Sequence, residues 1–199
     1  MDNEKKLVVI INHFQRDVSW AKNLKHPYVI YNKNPEEAHL FEVNMPNLGF
    51  DTIAYMTYIV DNYDNLPDYV CFLQDDPFYH CGNSVEIVNE FDFSKPFYPM
   101  SHTYFLANWD WEKTYSYAER VELPYTKPLK MIASCQCIVS RELILKTPKE
   151  MYEKLISTIN HTVKCQENYC IENLWPTILN FNEELEPSCD YCIGYGGPC

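Results

Sequence analysis

The chain has no apolar run long enough to cross a membrane. Its strand-like opening at residues 7–11 (Leu-Val-Val-Ile-Ile) returns to polar residues at Asn12 and His13, whereas a spanning helix needs roughly 20 apolar residues. The same run is too short for the core of a signal peptide. A soluble, intracellular protein without a membrane span is therefore expected, and a cytoplasmic one. Positive charge is also scarce: 16 Lys and Arg stand against 28 Asp and Glu, for a formal net charge of -12. Nucleic-acid binding needs basic patches, so nucleic acid is excluded as a partner and nuclease action is disfavoured. A phosphate-bearing small ligand stays compatible, because a bound divalent cation supplies positive charge locally. Neither internal repeats nor low-complexity blocks occur. The nine cysteines, at 71, 81, 135, 137, 165, 170, 189, 192 and 199, are odd in number and scattered. They match no disulfide framework and favour a reducing compartment.

The residues that are present describe a globular α/β protein. The 199 residues, 46% hydrophobic and 22% charged, suffice for one domain with a substantial core. Residues 7–11 predict a strand buried on both faces. A short helix is predicted at 16–24, a second strand at 28–31, and a helix between Pro46 and Asp64 with Ile53, Met56 and Val60 at helical spacing. A third strand at 69–73 contains Cys71 as a core hydrophobe. This β-α-β-α-β order argues for a mostly parallel sheet flanked by helices. Right-handed crossovers then gather Asn12, Asn32, Asp75 and Asp76 on one sheet edge. Residues 91–128 read as loop-rich, with the aromatic cluster Trp109-Asp110-Trp111. Residues 131–139 read as one more strand. Residues 148–159 predict a helix with Thr147 as N-cap and Pro148 in its first position. Residues 170–179 predict a last helix, bent at Trp175-Pro176.

The third strand ends in the chain's most pointed chemistry, Gln74-Asp75-Asp76-Pro77-Phe78-Tyr79-His80. Ligands of open α/β sheets lie outside the carboxyl ends of the strands, and two carboxylates there suit a hard cation, Mn²⁺ or Mg²⁺. The competing explanation is turn chemistry, which Asp-Asp-Pro also serves. Successive strand residues face opposite ways, so one aspartate, Asp76, is expected to hold the metal while Asp75 supports it or binds ribose. His80 either adds a ligand or caps the Pro77 turn.

Several motifs, in order, carry a resemblance. They are Asp17-Val-Ser-Trp20 after the first strand, Ile30-Tyr-Asn-Lys33, Pro46-Asn-Leu-Gly49 and Asn65-Leu-Pro-Asp68. Phe72-Leu-Gln-Asp-Asp-Pro-Phe-Tyr-His80, Gln136 with Ser140-Arg141, and Ile171-Glu-Asn-Leu-Trp175 follow. Together, over about residues 7–180, they resemble a little-characterised glycosyltransferase-like family of fungi, bacteria and large algal viruses. The chain is also similar to the small GT-A-type glycosyltransferase domain of chlorella viruses. The resemblance implies a single compact GT-A-like, Rossmann-type domain over residues 1–185, followed by a Cys/Gly-rich tail at 186–199. It implies a transferase that moves a sugar from a nucleotide-sugar donor, a UDP-sugar first, to a hydroxyl of a glycan or protein-glycan acceptor. Mn²⁺ or Mg²⁺ would be held at Asp75-Asp76; a viral chain would act in the host cytoplasm. The chain departs from the family at Phe50-Asp51, where Arg-Glu is usual, and at His13-Phe-Gln-Arg16.

Under that resemblance Asn12, Asp17 and Asn32 would contact the nucleotide; strand-end turn formation is their alternative role. Asp51 either orients the sugar or caps the helix that begins there. Glu172 is the candidate general base, set against an ordinary surface glutamate. Trp109 and Trp111 either stack on a sugar or pack in the core. Cys189, Cys192 and Cys199 could form part of a structural Zn²⁺ site, with Cys165 or Cys170 completing it. Two other functions compete: a non-catalytic nucleotide-sugar or glycan-binding module, and a metal-dependent phosphohydrolase. No oligomeric state follows from the sequence.

Overall fold

The computed structural model describes residues 6–105 and 111–185. In chain order these form β1 (Leu7–His13), β2 (Tyr28–Asn32), β3 (Val43–Asn44), α1 (Phe50–Asn62), β4 (Tyr69–Gln74) and α2 (Ser84–Asn89). Then come β5 (Phe97–Pro99), β6 (Thr103–Phe105), α3 (Trp111–Val121), β7 (Lys130–Ile132) and β8 (Cys137–Ser140). The helices α4 (Arg141–Leu145), α5 (Lys149–Ile159) and α6 (Gln166–Ile178) close the order. Six strands make one sheet in the order β3-β2-β1-β4-β8-β5. The first four run parallel, and β8 is antiparallel to both its neighbours. A small antiparallel ladder of β6 and β7 stands apart from it. The expected mixed α/β sheet with mostly parallel strands and flanking helices is what the chain adopts.

Strand parity divides the core in two. Ile10, Val70, Phe72, Cys137 and Val139 face the side covered by α1, α3, α5 and α6. Their neighbours Val9, Ile11, Cys71, Leu73 and Ile138 face the other side, where Ala21, Val88, Phe91 and Met100 cover them. Both faces are buried, which is why the strands read as continuous apolar runs. Cys71 is a fully buried core residue as its sequence predicts, and the described cysteines are all free thiols. On the helical side Phe72 packs with Tyr55 of α1 and Trp175 of α6 at centroid distances of 4.8 and 5.7 Å. This cluster ties the first and last helices to the central strand.

Five local expectations need correction. Residues 131–139 do not run as one strand: β7 and β8 are separated by a turn at Ala133–Cys135, with positive φ at Ser134 (63°) and Cys135 (58°). Hydropathy along the segment is uniform and cannot report that break. The predicted helix at 16–24 is only a 3-10 turn, Ser19–Asn23. The loop-rich stretch 91–128 contains helix α3, begun by Trp111, which is 40% exposed and meets Tyr115 edge-on. Thr147 does not cap α5; its hydroxyl donates to the Ile178 carbonyl at 2.8 Å, and the helix begins after Pro148. The last helix starts at Gln166, earlier than expected, and contains Pro176. Trp109, Asp110, Cys189, Cys192, Cys199 and the tail lie outside the described residues.

The approach to α1 depends on Gly49. Its φ is +60°, its N–H donates to the Thr162 carbonyl at 3.0 Å, and a Cβ there would lie 2.9 Å from the Ile53 Cβ and 3.0 Å from the Ile159 Cδ1. Gly49→Ala therefore meets both a left-handed backbone and a packed wall. A loss of about 2 kcal/mol in unfolding free energy is expected, measurable by urea denaturation. A loss under about 0.5 kcal/mol would mean that the corner relaxes freely.

Candidate functional site

Three parallel strands, β2, β1 and β4, end together at one sheet edge, and α1 begins above it. The register aligns Asn12 with Tyr31 of β2 and with Gln74 of β4. Asn12 and Gln74 share the parity of Ile10 and Phe72, so both point to the helical side. There they converge on Asp51 in the first turn of α1: the Asn12 and Gln74 side-chain amides each donate a short hydrogen bond to its carboxylate. Asp51 is thus the centre of a hydrogen-bonded polar floor at the strand ends and not a helix cap, the N-cap position being Gly49. Burial holds its carboxyl above the ordinary range, opposed by the nearby Lys33 charge and the Gln74 hydrogen bond, with Asp75 adding to the rise.

Lys33 is only 2% exposed. Its ammonium donates to the Leu48 carbonyl at 3.0 Å and to the Phe50 carbonyl, fixing the corner that leads into α1. Burial pushes this ammonium down to about 8, and Asp51 pulls it back up. The sequence marks Lys33 only as part of a motif; its place immediately after a strand aimed at the site edge is the signal that it is buried there.

Glu172 reaches the same floor from α6. Its Oε1 accepts the Ser134 N–H at 3.0 Å. Burial raises its carboxyl, the Ser134 hydrogen bond opposes this, and the Asp51 charge adds to it. Two residues far apart in the chain are thereby brought together as partly buried acids. Around them the backbone is strained: Phe50, Ser134 and Cys135 are three of the five non-glycine residues with positive φ among the described residues. Such outliers cluster at functional sites. Two buried polar atoms nearby, Asn12 Oδ1 and the Tyr55 hydroxyl, have no partner. A buried acceptor without a partner is a place for a ligand N–H or hydroxyl.

Asp75 has the opposite parity and leaves this floor. Its Oδ2 accepts the backbone N–H groups of Phe14, Gln15 and Arg16 at 3.0, 3.1 and 3.0 Å. The His13 ring nitrogen Nδ1 lies 3.6 Å from the same oxygen, and the other nitrogen is 2.7 Å from Glu37. The Trp20 indole N–H donates to the Asp75 carbonyl at 2.9 Å. One aspartate oxygen thus fills a nest of three consecutive amides and organises the loop after β1. The pairing with His13, which is fully buried, was not visible from sequence separation. Asp75→Ala is expected to leave those amides without an acceptor and to speed their hydrogen exchange by at least about tenfold. Unaltered protection at Phe14, Gln15 and Arg16 would overturn this role.

Asp76 is left alone. It is partly buried at the start of the 3-10 turn Pro77–Tyr79, and its side chain makes no capping hydrogen bond. No side chain or amide among the described residues is hydrogen-bonded to its carboxylate. Its charge is felt at His80, whose imidazole is lowered by burial and by His102 and raised in part by Asp76. Gln136 pins the tip from β8's side, accepting the Gln74 N–H at 3.1 Å. The remaining candidates do not join the floor. Asn32 spends its amide on Asn34 and Asn44, and the exposed Asp17 accepts from Ser19, which lowers its carboxyl. Asp17 is engaged within its own turn, and Asn32 links its turn to β3.

Among the described residues no group of three or more His, Cys, Asp or Glu side chains is placed to hold a metal ion. An all-protein cage is thus not formed there. A Mg²⁺-type site that takes one carboxylate and completes its shell with water and substrate phosphate fits the unengaged Asp76. No helix among the described residues is long and apolar enough to cross a membrane.

A family model described as "Protein of unknown function (DUF3431)" matches residues 8–92. No curated protein matches the chain. The matched span includes Asn12, Lys33, Asp51, Gln74, Asp75, Asp76 and His80. Glu172 lies outside it.

Proposed function

We propose that the protein is a metal-dependent glycosyltransferase that moves a sugar from a nucleotide-sugar donor, a UDP-sugar first, to a hydroxyl of a glycan acceptor. The observation that carries this reading is the meeting of Glu172, its carboxyl raised by burial and by Asp51, with the acidic edge of three parallel strands. Asp76 would hold the cation, which when bound neutralises diphosphate charge as the nucleotide departs. Asn12 would offer its orphan Oδ1 to a donor N–H or hydroxyl. Asp51, held by Asn12 and Gln74, would position donor hydroxyls through its remaining lone pairs. Glu172 would take the acceptor hydroxyl's proton as the acceptor oxygen bonds to the anomeric carbon and the bond from that carbon to phosphate breaks. A carboxylate held above the ordinary glutamate range by burial is better matched to that task than an ordinary glutamate.

The test is incubation with a panel of nucleotide sugars and Mn²⁺, reading released nucleoside diphosphate. Release from one donor, increased by a saccharide acceptor, is expected. Thermal stabilisation by a donor with no release under any acceptor would replace the transferase with a binding module. Equal release from simple phosphodiesters would point to a phosphohydrolase.

A further inference from the structure

We infer that Phe50 and Tyr169 form a stacking shelf for a neutral pyranose ring of the acceptor; this rests on reading Glu172 as the base. The two rings meet edge to face at 5.8 Å and 78°. Both are partly exposed, and neither belongs to the two core clusters or to the residues packed against them. Their position is defined on both sides. Phe50 directly precedes Asp51, and Tyr169 lies three residues before Glu172 on α6, on the same helix face. The shelf therefore borders Glu172 through Tyr169 on α6. Phe50 holds a φ of 46°, a conformation that a bulky side chain keeps only where its surroundings impose it.

The chemistry of the shelf selects the ligand class. A pyranose presents a C–H face to an aromatic ring and hydroxyls at its rim, so one ring could lie on the shelf while a hydroxyl reaches Glu172. Lys164 holds its ammonium over both rings, 6.0 and 5.5 Å from their centroids, so a sugar hydroxyl at this place meets a positive charge. The carboxylates of Asp51 and Glu172 and the chain's net charge of -12 oppose an anionic saccharide, which makes the neutral sugar the better fit.

Saturation-transfer NMR with methyl β-D-glucopyranoside, methyl β-D-galactopyranoside and methyl α-D-mannopyranoside tests this, with methyl β-D-glucuronide as the anionic counterpart. At least one neutral glycoside is expected to bind, more tightly than the glucuronide. Tyr169→Ala and Phe50→Leu are each expected to weaken it about fivefold. Tyr169 sits on a partly exposed helix face, so its variant tests the shelf even if Phe50→Leu disturbs the strained corner. Absence of binding by all three neutral glycosides, tighter binding of the glucuronide, or undiminished binding in Tyr169→Ala would overturn the shelf. Thermal stabilisation by UDP with Mn²⁺ reports separately on the donor site. Glycoside binding without that shift would retain the saccharide shelf and remove the donor reading.

Discussion

Asp76→Asn is expected to reduce Mn²⁺-dependent donor turnover by roughly two orders of magnitude or more while leaving the melting temperature unchanged. The asymmetry follows from the way the strand tip is built. Asp75 faces the loop after β1 and its Oδ2 is occupied by three amides, whereas Asp76 makes no capping hydrogen bond at the head of its turn. Removing the Asp76 charge therefore takes away the proposed metal ligand without taking away a hydrogen bond of the fold. A second readout locates the charge without any assay of activity. His80 is lowered by burial and by His102, and the Asp76 charge raises it in part. In the Asn variant the imidazole should titrate lower still, followed through its ring proton shifts. Full turnover in Asp76→Asn would remove the metal from this tip; an unmoved His80 titration would mean that the carboxylate points elsewhere.

The Asp75 and Asp76 pair also shows how far a sequence reaches. The period of two in a strand is enough to separate the two aspartates, and the apolar runs at 7–11 and 69–73 are enough to place a parallel sheet under them. What the pattern cannot carry is the far side of each contact. Asp51 looks like a helix-cap candidate because it follows Gly49; only the shared parity of Asn12 and Gln74 beneath it makes it the centre of a floor. Lys33 follows a strand aimed at the site edge, which signals burial, but its partners, the Leu48 and Phe50 carbonyls, are set only by the folded corner. The strand expected at 131–139 is interrupted by two left-handed residues that hydropathy does not encode. One of them, Ser134, donates its N–H to Glu172, so the missed break and the predicted base belong to one feature. Asp17 and Asn32 show the opposite case: Asp17 bonds Ser19 two residues on, and Asn32 bonds Asn34 and Asn44 of the neighbouring strand.

That feature supports the second large effect. Glu172→Gln should lower transfer by about 10²–10⁴-fold with donor affinity retained, because the proposed base would act on the acceptor proton and not on the nucleotide. The same substitution should make the protein more stable at neutral pH. Burial raises the Glu172 carboxyl, and Asp51 raises it further, so the folded state holds this proton more tightly than the unfolded chain. Its contribution to stability is complete below the unfolded value of an ordinary glutamate. It is lost as pH rises through the raised folded value, since over that window the unfolded state sheds its proton first. Gln carries no such charge to desolvate and retains an oxygen for the Ser134 N–H. A gain of about 1 kcal/mol, or ~2–4 °C in melting temperature, is expected at pH 7. The gain should shrink as pH falls towards 4, where the wild-type carboxyl is protonated in both states. A variant that loses transfer but shows no pH-dependent gain would keep Glu172 in the reaction and deny that its carboxyl is raised. A variant that gains stability with transfer intact would make it a buried acid with no part in the chemistry. Both signatures together are what a base held beside Asp51 requires.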